Sequence, residues 1–179
     1  MTCVVAIEHD GQIVMGGDAA STDADTLSQS TYIAPKVFRR REFLVGFSTS
    51  FRMGQILQFE WTPPAHRTGL SNNQFLVSRV IPTLRAVFKK NCFSLEEAGG
   101  AFLLGYRSDL FQIEIDYHVA RSTRGYAAVG SGADVALGVC WATGGMEPSE
   151  RVLTALEASR AHNATVRPPF TIIYSDEKE

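Results

Sequence analysis

The chain begins with two short apolar runs separated by a turn. Residues 2–7 and 12–16 are rich in β-branched and other apolar side chains, and His9-Asp10-Gly11 stands between them. Apolar runs on either side of turn residues are typical of a β-hairpin. Two further strands are predicted at about 32–38 and 42–47, where apolar and aromatic residues are again concentrated.

Helical patterns follow this first group of strands. Apolar residues in 51–59 predict a helix that ends at Trp61-Thr62-Pro63-Pro64, because proline removes a helical hydrogen bond. Residues 73–91 carry an apolar stripe with a period of about four and predict a longer helix. Pro82 lies inside this second helix and predicts a kink.

The second half of the chain repeats the order of strands and then helices. The continuous apolar run 101–106 predicts a buried strand, and 111–119 alternates apolar and polar residues as a half-buried strand does. Another strand is predicted to end near Gly130. Residues 170–174 predict the strand that completes a sheet.

Two helices are predicted between these last strands. One covers about 133–143, and the other begins with Ser149 as its N-cap and turns Val152, Leu153 and Leu156 inward. Strands then helices, twice over, indicate two antiparallel sheets with helices outside them, a layered α+β fold. The length of 179 residues suits a single domain, 1–179.

Composition and charge narrow the function classes. Lys and Arg number 17 against 19 Asp and Glu, a formal net charge of −2, so binding to nucleic acid or to a membrane surface is disfavoured. We find no signal peptide or apolar span, and expect a cytoplasmic protein. Three scattered cysteines without C-x-x-C favour neither a disulfide framework nor a zinc site, and we predict no metal or cofactor.

Thr2 is the first candidate for chemistry. It follows Met1 directly, and a small second residue permits removal of the initiator methionine. An N-terminal threonine carries a hydroxyl nucleophile and an α-amine that can act as its general base. Many proteins begin Met-Thr without catalytic consequence, so context must decide.

The hairpin places an acidic residue near this threonine. A three-residue loop His9-Asp10-Gly11 sets Thr2 opposite Asp18, whereas a two-residue loop Asp10-Gly11 sets Cys3 opposite it and turns the carboxylate to the other face. We predict the three-residue loop. The preceding Gly16-Gly17 allows a neighbouring group to approach closely, and an Asx-turn is an equally good interpretation of Asp18.

The chain resembles the proteasome β-subunits and their bacterial HslV-type relatives among the N-terminal-nucleophile hydrolases. The resemblance implies a four-layer α-β-β-α sandwich, hydrolysis of peptide bonds by an N-terminal threonine, and assembly into rings. It covers nearly the whole chain. The matching pieces are Thr2-Cys3-Val4-Val5-Ala6-Ile7, Asp10-Gly11, Val14-Met15-Gly16-Gly17-Asp18, Pro35-Lys36-Val37, Val45-Gly46-Phe47 and Val129-Gly130-Ser131-Gly132.

The resemblance also assigns roles to single residues. Thr2 matches the nucleophile, Asp18 the buried acidic partner, and Lys36 the lysine beside the threonine hydroxyl. A fixed positive charge there lowers the pKa values of the threonine amine and hydroxyl. Ser131 matches a serine that relays the proton of the amine, although it is also a good N-cap for the helix that follows.

Two segments depart from the family pattern, the loop after Phe47 and residues 162–167. Thr49 stands where the family has a glycine whose backbone N–H stabilises the oxyanion; its N–H can still donate, but a β-branched residue restricts the backbone and the space beside the nucleophile. Asn163 stands where proteasome subunits have an aspartate, and Val166 where they have a serine. Asn163 can hydrogen-bond without charge, and Val166 cannot hydrogen-bond, so we expect the amine to be held less well.

The sequence thus predicts a threonine peptidase that acts on peptides or unfolded proteins inside a homo-oligomeric ring. An inactive ring scaffold and a small-amide hydrolase on the same fold are the alternatives. No residue pattern identifies an AAA+ unfoldase partner. Apolar surface for contacts between subunits is expected in the first helix and its end, at Phe51, Met53, Leu57, Phe59 and Trp61.

Overall fold

The secondary structure alternates groups of strands with groups of helices, as predicted. The structure is a computed structural model that describes residues 2–23, 25–26, 28–98 and 100–176. π-Helical turns, Ile56–Glu60 and Leu76–Val80, continue the first two helices. In chain order the elements are β1 (Val4–His9), β2 (Gln12–Gly17), β3 (Ala20–Thr22), β4 (Gln29–Thr31), β5 (Val37–Arg40), β6 (Phe43–Phe47), α1 (Phe51–Gln55), α2 (Asn72–Phe75), α3 (Ile81–Lys90), α4 (Leu95–Ala98), β7 (Phe102–Tyr106), β8 (Asp109–Ile113), β9 (Val119–Ala120), β10 (Tyr126–Val129), α5 (Ala133–Ala142), α6 (Pro148–His162) and β11 (Thr171–Tyr174).

Two antiparallel sheets form the middle of a four-layer α-β-β-α sandwich. Within the described ranges, one sheet has the order β10-β1-β2-β11 and the other β5-β6-β7-β8-β9, while β3 and β4 pair as a separate ribbon. One apolar cluster fills the space between the two sheets. Each sheet also has one apolar cluster between it and its own helices. No helix in these ranges is long and apolar enough to cross a membrane.

The register of the first hairpin differs from the prediction. His9 pairs with Gln12, so the loop has two residues, Asp10 and Gly11, both with positive φ (47° and 79°). These angles are those of a type I′ turn, which matches the twist of the flanking strands. Asp18 therefore lies opposite Cys3, with the Asp18 N–H donating to the Cys3 carbonyl at 3.2 Å.

Two predicted strands are shorter than expected. The strand predicted at 111–119 ends at Ile113, because residues 114–118 form a turn in which Tyr117 has a φ of 68°. Of the two apolar positions in this turn, Tyr117 packs against the core, whereas Ile115 is 46% exposed. The strand predicted at 32–38 begins only at Val37, since Pro35 cannot donate a ladder hydrogen bond.

The helices agree with the predictions in place and differ in detail. The π-helical turn 76–80 lies just before Pro82 and forms the irregularity of that helix. Helix α6 begins at Pro148 with Glu147 as N-cap, rather than at Ser149, and Leu153 is 44% exposed.

The expected apolar surface of the first helix is largely absent. Met53, Leu57 and Trp61 are fully buried, and Phe51 packs against the core. Phe59, 69% exposed, keeps its ring at the surface. The sequence pattern could not separate these positions because the π-helical turn rotates the residues that follow it relative to an ideal helix.

Candidate active site

Thr2 lies just before β1, held by the loop between β10 and α5. It is 3% exposed, and its nitrogen donates to Ser131 Oγ at 3.2 Å. Its carbonyl accepts the Gly132 N–H at 3.1 Å. Gly130, at a φ of 98°, has no room for a Cβ, which would overlap the Thr2 carbonyl. Met1, whose removal would make Thr2 the N-terminal residue, lies outside the described residues.

Asp18 and Lys36 form a buried ion pair beside this strand. Lys36 Nζ lies 2.8 Å from Asp18 Oδ1, and both residues are 1% exposed. Lys36 also donates to the Ala20 carbonyl. The Asp18 carboxylate accepts the backbone N–H groups of Cys3 at 2.9 Å, Ala20 at 3.0 Å and Arg167 at 3.3 Å. These contacts provide the hydrogen bonds that a buried charge requires.

The carboxylate of Asp18 combines two predicted roles. Its bond to the N–H two residues on is the Asx-turn, while its bond to Lys36 is the ion pair that the resemblance implied. The corrected hairpin register gives it a further role, because its bond to the Cys3 N–H fixes the peptide that follows Thr2. The ion pair and Thr2 are thus linked through one backbone amide.

Burial changes the electrostatics of Lys36. Desolvation lowers its pKa, and the charge of Asp18 opposes this effect. The Lys36 ammonium also lies over the ring of Phe51, 5.7 Å from its centroid, a distance suited to a cation–π contact. Lys36 is therefore held between a carboxylate and an aromatic face.

Cys3 is a poor rival to Thr2 as a nucleophile. Burial raises the pKa of its thiol to about 11, so the thiolate is scarce at neutral pH. The thiol donates to Ser159 Oγ at 3.4 Å. The Ser159 hydroxyl donates to the Ala155 carbonyl at 2.7 Å and also lies 3.1 Å from the Gly132 carbonyl oxygen. Cys3 and Ser159 both pack against Gly132, which follows Ser131 in the chain.

Ser131 is not the N-cap of α5. Gly132 occupies that position and provides no side-chain cap. The Ser131 hydroxyl instead contacts Thr2 and, at 2.8 Å, Thr165 Oγ1. Asn163 Nδ2 donates to the Ser131 carbonyl at 2.7 Å.

Sequence reasoning missed Thr165. It noted only that Val166 lacks a hydrogen-bonding group, and Val166 is in fact fully buried in the core. The preceding residue, Thr165, directs its hydroxyl at Ser131 and so provides the hydrogen-bonding group that Val166 lacks. An available signal was the Asn163-Ala164-Thr165 spacing, which favours an Asx-turn.

Thr49 has a strained backbone. Its φ is 72°, and the Ser50 N–H donates to the Ser48 carbonyl at 2.8 Å around it, the pattern of a γ-turn with positive φ, which is rare. Gly100 gives this turn room, since a Cβ there would lie 2.9 Å from Thr49 Cβ. A β-branched residue at positive φ marks stored strain of the kind found at functional sites.

Thr2, Thr49 and Ser131 line one open cleft of about 460 Å³. The cleft is where a substrate could reach Thr2, with Thr49 and Ser131 among the residues that line it. Across the described ranges, no three His, Cys, Asp or Glu side chains lie close enough together to hold a metal ion. The structure brings Thr2, Ser131 and Asn163 into one hydrogen-bonded group and joins Asp18 to Lys36.

Replacing Thr49 by glycine should raise the free energy of unfolding by about 1 kcal/mol, measured by urea denaturation. Glycine adopts positive φ without the strain of about 1–3 kcal/mol, and its greater freedom in the unfolded chain offsets only part of the gain. Thr49→Ala is the control, because it removes the branch but keeps a Cβ, and it should gain less. A Thr49→Gly protein less stable than the wild type would show that the turn is unstrained.

Several solved structures share this fold. Thiobacillus denitrificans BPH aligns with a TM-score of 0.78 and 19% identity over 97% of each chain, and a second BPH structure contains epoxomicin. HslV from Trypanosoma brucei aligns with a TM-score of 0.74 and 15% identity over 97% of this chain and 98% of its own. Anbu from Yersinia bercovieri aligns with a TM-score of 0.70 and 14% identity over 97% of this chain and 81% of its own.

Neither a protein-family model nor a curated protein sequence matches the chain. At identities below 20%, the structural likeness establishes the fold and leaves the chemistry to the residues of the site. The chain therefore has the fold of the HslV and Anbu proteins, which confirms the fold that its sequence resemblance implied.

Proposed function

We propose that the chain is a threonine peptidase whose nucleophile is Thr2 after removal of Met1. The Thr2 hydroxyl oxygen attacks the substrate carbonyl, and its proton passes to the Thr2 amine. The amine then protonates the departing nitrogen, which leaves an ester on Thr2 that water hydrolyses. The charge of Lys36, held by Asp18, lowers the pKa values of the amine and the hydroxyl.

Three further residues complete this proposal. The Thr49 N–H stabilises the oxyanion of the tetrahedral intermediate, a role open to any backbone donor on the cleft. Ser131 accepts a hydrogen bond from the Thr2 nitrogen and can relay its proton. Asn163 supports Ser131 through the Ser131 carbonyl.

The observation that carries the proposal is the fully buried Asp18–Lys36 pair one peptide away from Thr2. Burying two charges is costly even when they are paired, and an apolar pair of similar size would often be at least as stable. The pair is thus better explained by chemistry at Thr2 than by packing. An inactive scaffold would gain little from keeping it, whereas a nucleophile activated by charge requires it.

Assembly into a homo-oligomeric ring is the second part of the proposal. A nucleophile at a cleft open to the solution would meet proteins indiscriminately, and a closed ring would restrict access to small or unfolded chains. One similar structure, from Pseudomonas aeruginosa, is described as a helical assembly of the Anbu complex. Apolar side chains remain exposed on two helical layers, among them Phe59 and Trp141.

Thr2→Ala should abolish covalent labelling by a β-lactone and by epoxomicin, as measured by intact mass, because the attacking hydroxyl is gone. The matched control is Cys3→Ala, which removes the neighbouring thiol and should leave labelling in place. Unchanged thermal unfolding of both variants would show that the fold is intact. Labelling that survives in Thr2→Ala, or that disappears only in Cys3→Ala, would refute Thr2 as the nucleophile.

Multi-angle light scattering at micromolar concentration should report the mass of many subunits. Closure of a ring requires a heterologous interface, in which two different surfaces of the subunit meet. A monomer that is labelled at Thr2 would refute the ring and favour a free-standing small-amide hydrolase. An oligomer that is never labelled would favour the inactive scaffold.

A further inference from the structure

A series of hydrogen-bonded side chains leads away from the Thr2 nitrogen. The nitrogen contacts Ser131 Oγ at 3.2 Å, Ser131 Oγ contacts Thr165 Oγ1 at 2.8 Å, and Thr165 Oγ1 contacts Asn163 Oδ1 at 2.7 Å. The three contacts join the start of β1, the loop before α5 and the segment after α6. All are within hydrogen-bond range.

Which atom donates in each of these hydrogen bonds follows from the last side chain of the series, Asn163. Asn163 Oδ1 can only accept, and it also accepts the Thr165 N–H at 3.0 Å, while Asn163 Nδ2 donates to the Ser131 carbonyl. If the Asn163 amide were flipped, its NH₂ group would face the Thr165 N–H, donor against donor. Its oxygen would face the Ser131 carbonyl oxygen, acceptor against acceptor. The Thr165 hydroxyl proton is therefore committed to Asn163, and Thr165 Oγ1 must accept from its other neighbour.

The same logic fixes the hydroxyl of Ser131. It has one proton and two acceptors within reach, Thr165 Oγ1 at 2.8 Å and the Thr2 carbonyl at 3.3 Å. The shorter contact is the better hydrogen bond. With its proton directed at Thr165, the Ser131 oxygen offers a lone pair to Thr2, whose nitrogen must be the donor.

We propose that Thr165 is a positioning residue for the Thr2 amine, acting through Ser131. This inference rests on the proposed function, in which that nitrogen is a free amine that acts as the base. When the amine is neutral, the hydrogen bond from its N–H to Ser131 restricts rotation of the amine about the N–Cα bond. The nitrogen lone pair then stays directed toward the Thr2 hydroxyl and can accept its proton. Thr165 thereby provides the support that Val166 cannot give.

A local turn does not account for the hydroxyl of Thr165. An Asx-turn after α6 needs the Asn163 carboxamide oxygen and the Thr165 N–H, and both would remain if residue 165 were valine. The contact from Thr165 Oγ1 to Ser131, 34 residues earlier, adds nothing to that turn. Thr165 is half-buried, so losing its hydroxyl leaves the core intact.

The test compares two substitutions at this position. Thr165→Val keeps the branched shape and removes the hydroxyl, whereas Thr165→Ser keeps the hydroxyl. We expect Thr165→Val to lower the limiting rate of inactivation by a β-lactone about 10- to 100-fold, with little change in the concentration that gives half that rate. Thr165→Ser should restore the rate to within a few-fold of the wild type.

Thr143→Val is the matched control. The Thr143 hydroxyl donates to the Val139 carbonyl at 2.8 Å at the end of α5, so its loss removes a half-buried hydroxyl outside the site. This variant should react at the wild-type rate. Thermal unfolding of all variants separates a loss of positioning from a loss of fold.

The outcomes distinguish this inference from the function beneath it. A wild-type protein that is never labelled at Thr2 would refute the proposed function and the inference with it. Wild-type protein that is labelled, with Thr165→Val reacting equally fast, would refute the inference alone. A slow Thr165→Val whose rate Thr165→Ser does not recover would assign Thr165 a role in shape and also refute it.

Discussion

The buried ion pair between Asp18 and Lys36 is the constraint on which the site depends. A carboxylate and an ammonium without access to water need partners for their remaining hydrogen-bonding groups. The pair finds them in the backbone of Cys3, Ala20 and Arg167. Satisfying two charges thus fixes the start of β1, the end of β2, the ribbon strand β3 and the segment before β11 relative to one another.

Glycine residues let this pair form at the meeting of the two sheets. At Gly17, a Cβ would lie 3.0 Å from Val37 Cγ1 and 3.5 Å from Lys36 Cβ, so β5 approaches β2 closely there. At Gly16, a Cβ would crowd Val152 and Leu156, which brings α6 against the other face of the same strand. Close packing on both sides of β2 excludes water from the pair and strengthens its electrostatic effect.

How far the sequence predicts the structure depends on the range of the interactions involved. The strands and helices follow from local apolar periodicity, and the four layers follow from their order. The predicted hairpin register was wrong by one residue. Asp10 and Gly11 by themselves form a type I′ turn, and His9 remains in the strand. The prediction that Asp18 meets Lys36 came from the family resemblance, since no spacing in the sequence brings them together.

Contacts between side chains distant in sequence were the part that sequence could not supply. The hydroxyl contact between Ser131 and Thr165 spans 34 residues and leaves no pattern in the chain. The strain at Thr49 was foreseen only as a β-branched residue at a glycine position, and its γ-turn became visible with the backbone angles. Thr49 stands where this chain departs from the family, and Thr165 is not among the residues to which the resemblance assigned a role, so resemblance could not provide either feature.

The central claim is that Thr2 becomes the N-terminal residue and is the group that reacts. Intact mass spectrometry of the purified, catalytically competent protein tests it most directly, because the mass reports the first residue without reference to a substrate. We expect the mass of a chain that lacks Met1 and begins at Thr2. A protein that hydrolyses peptides while its mass shows Met1 fully retained would contradict the account.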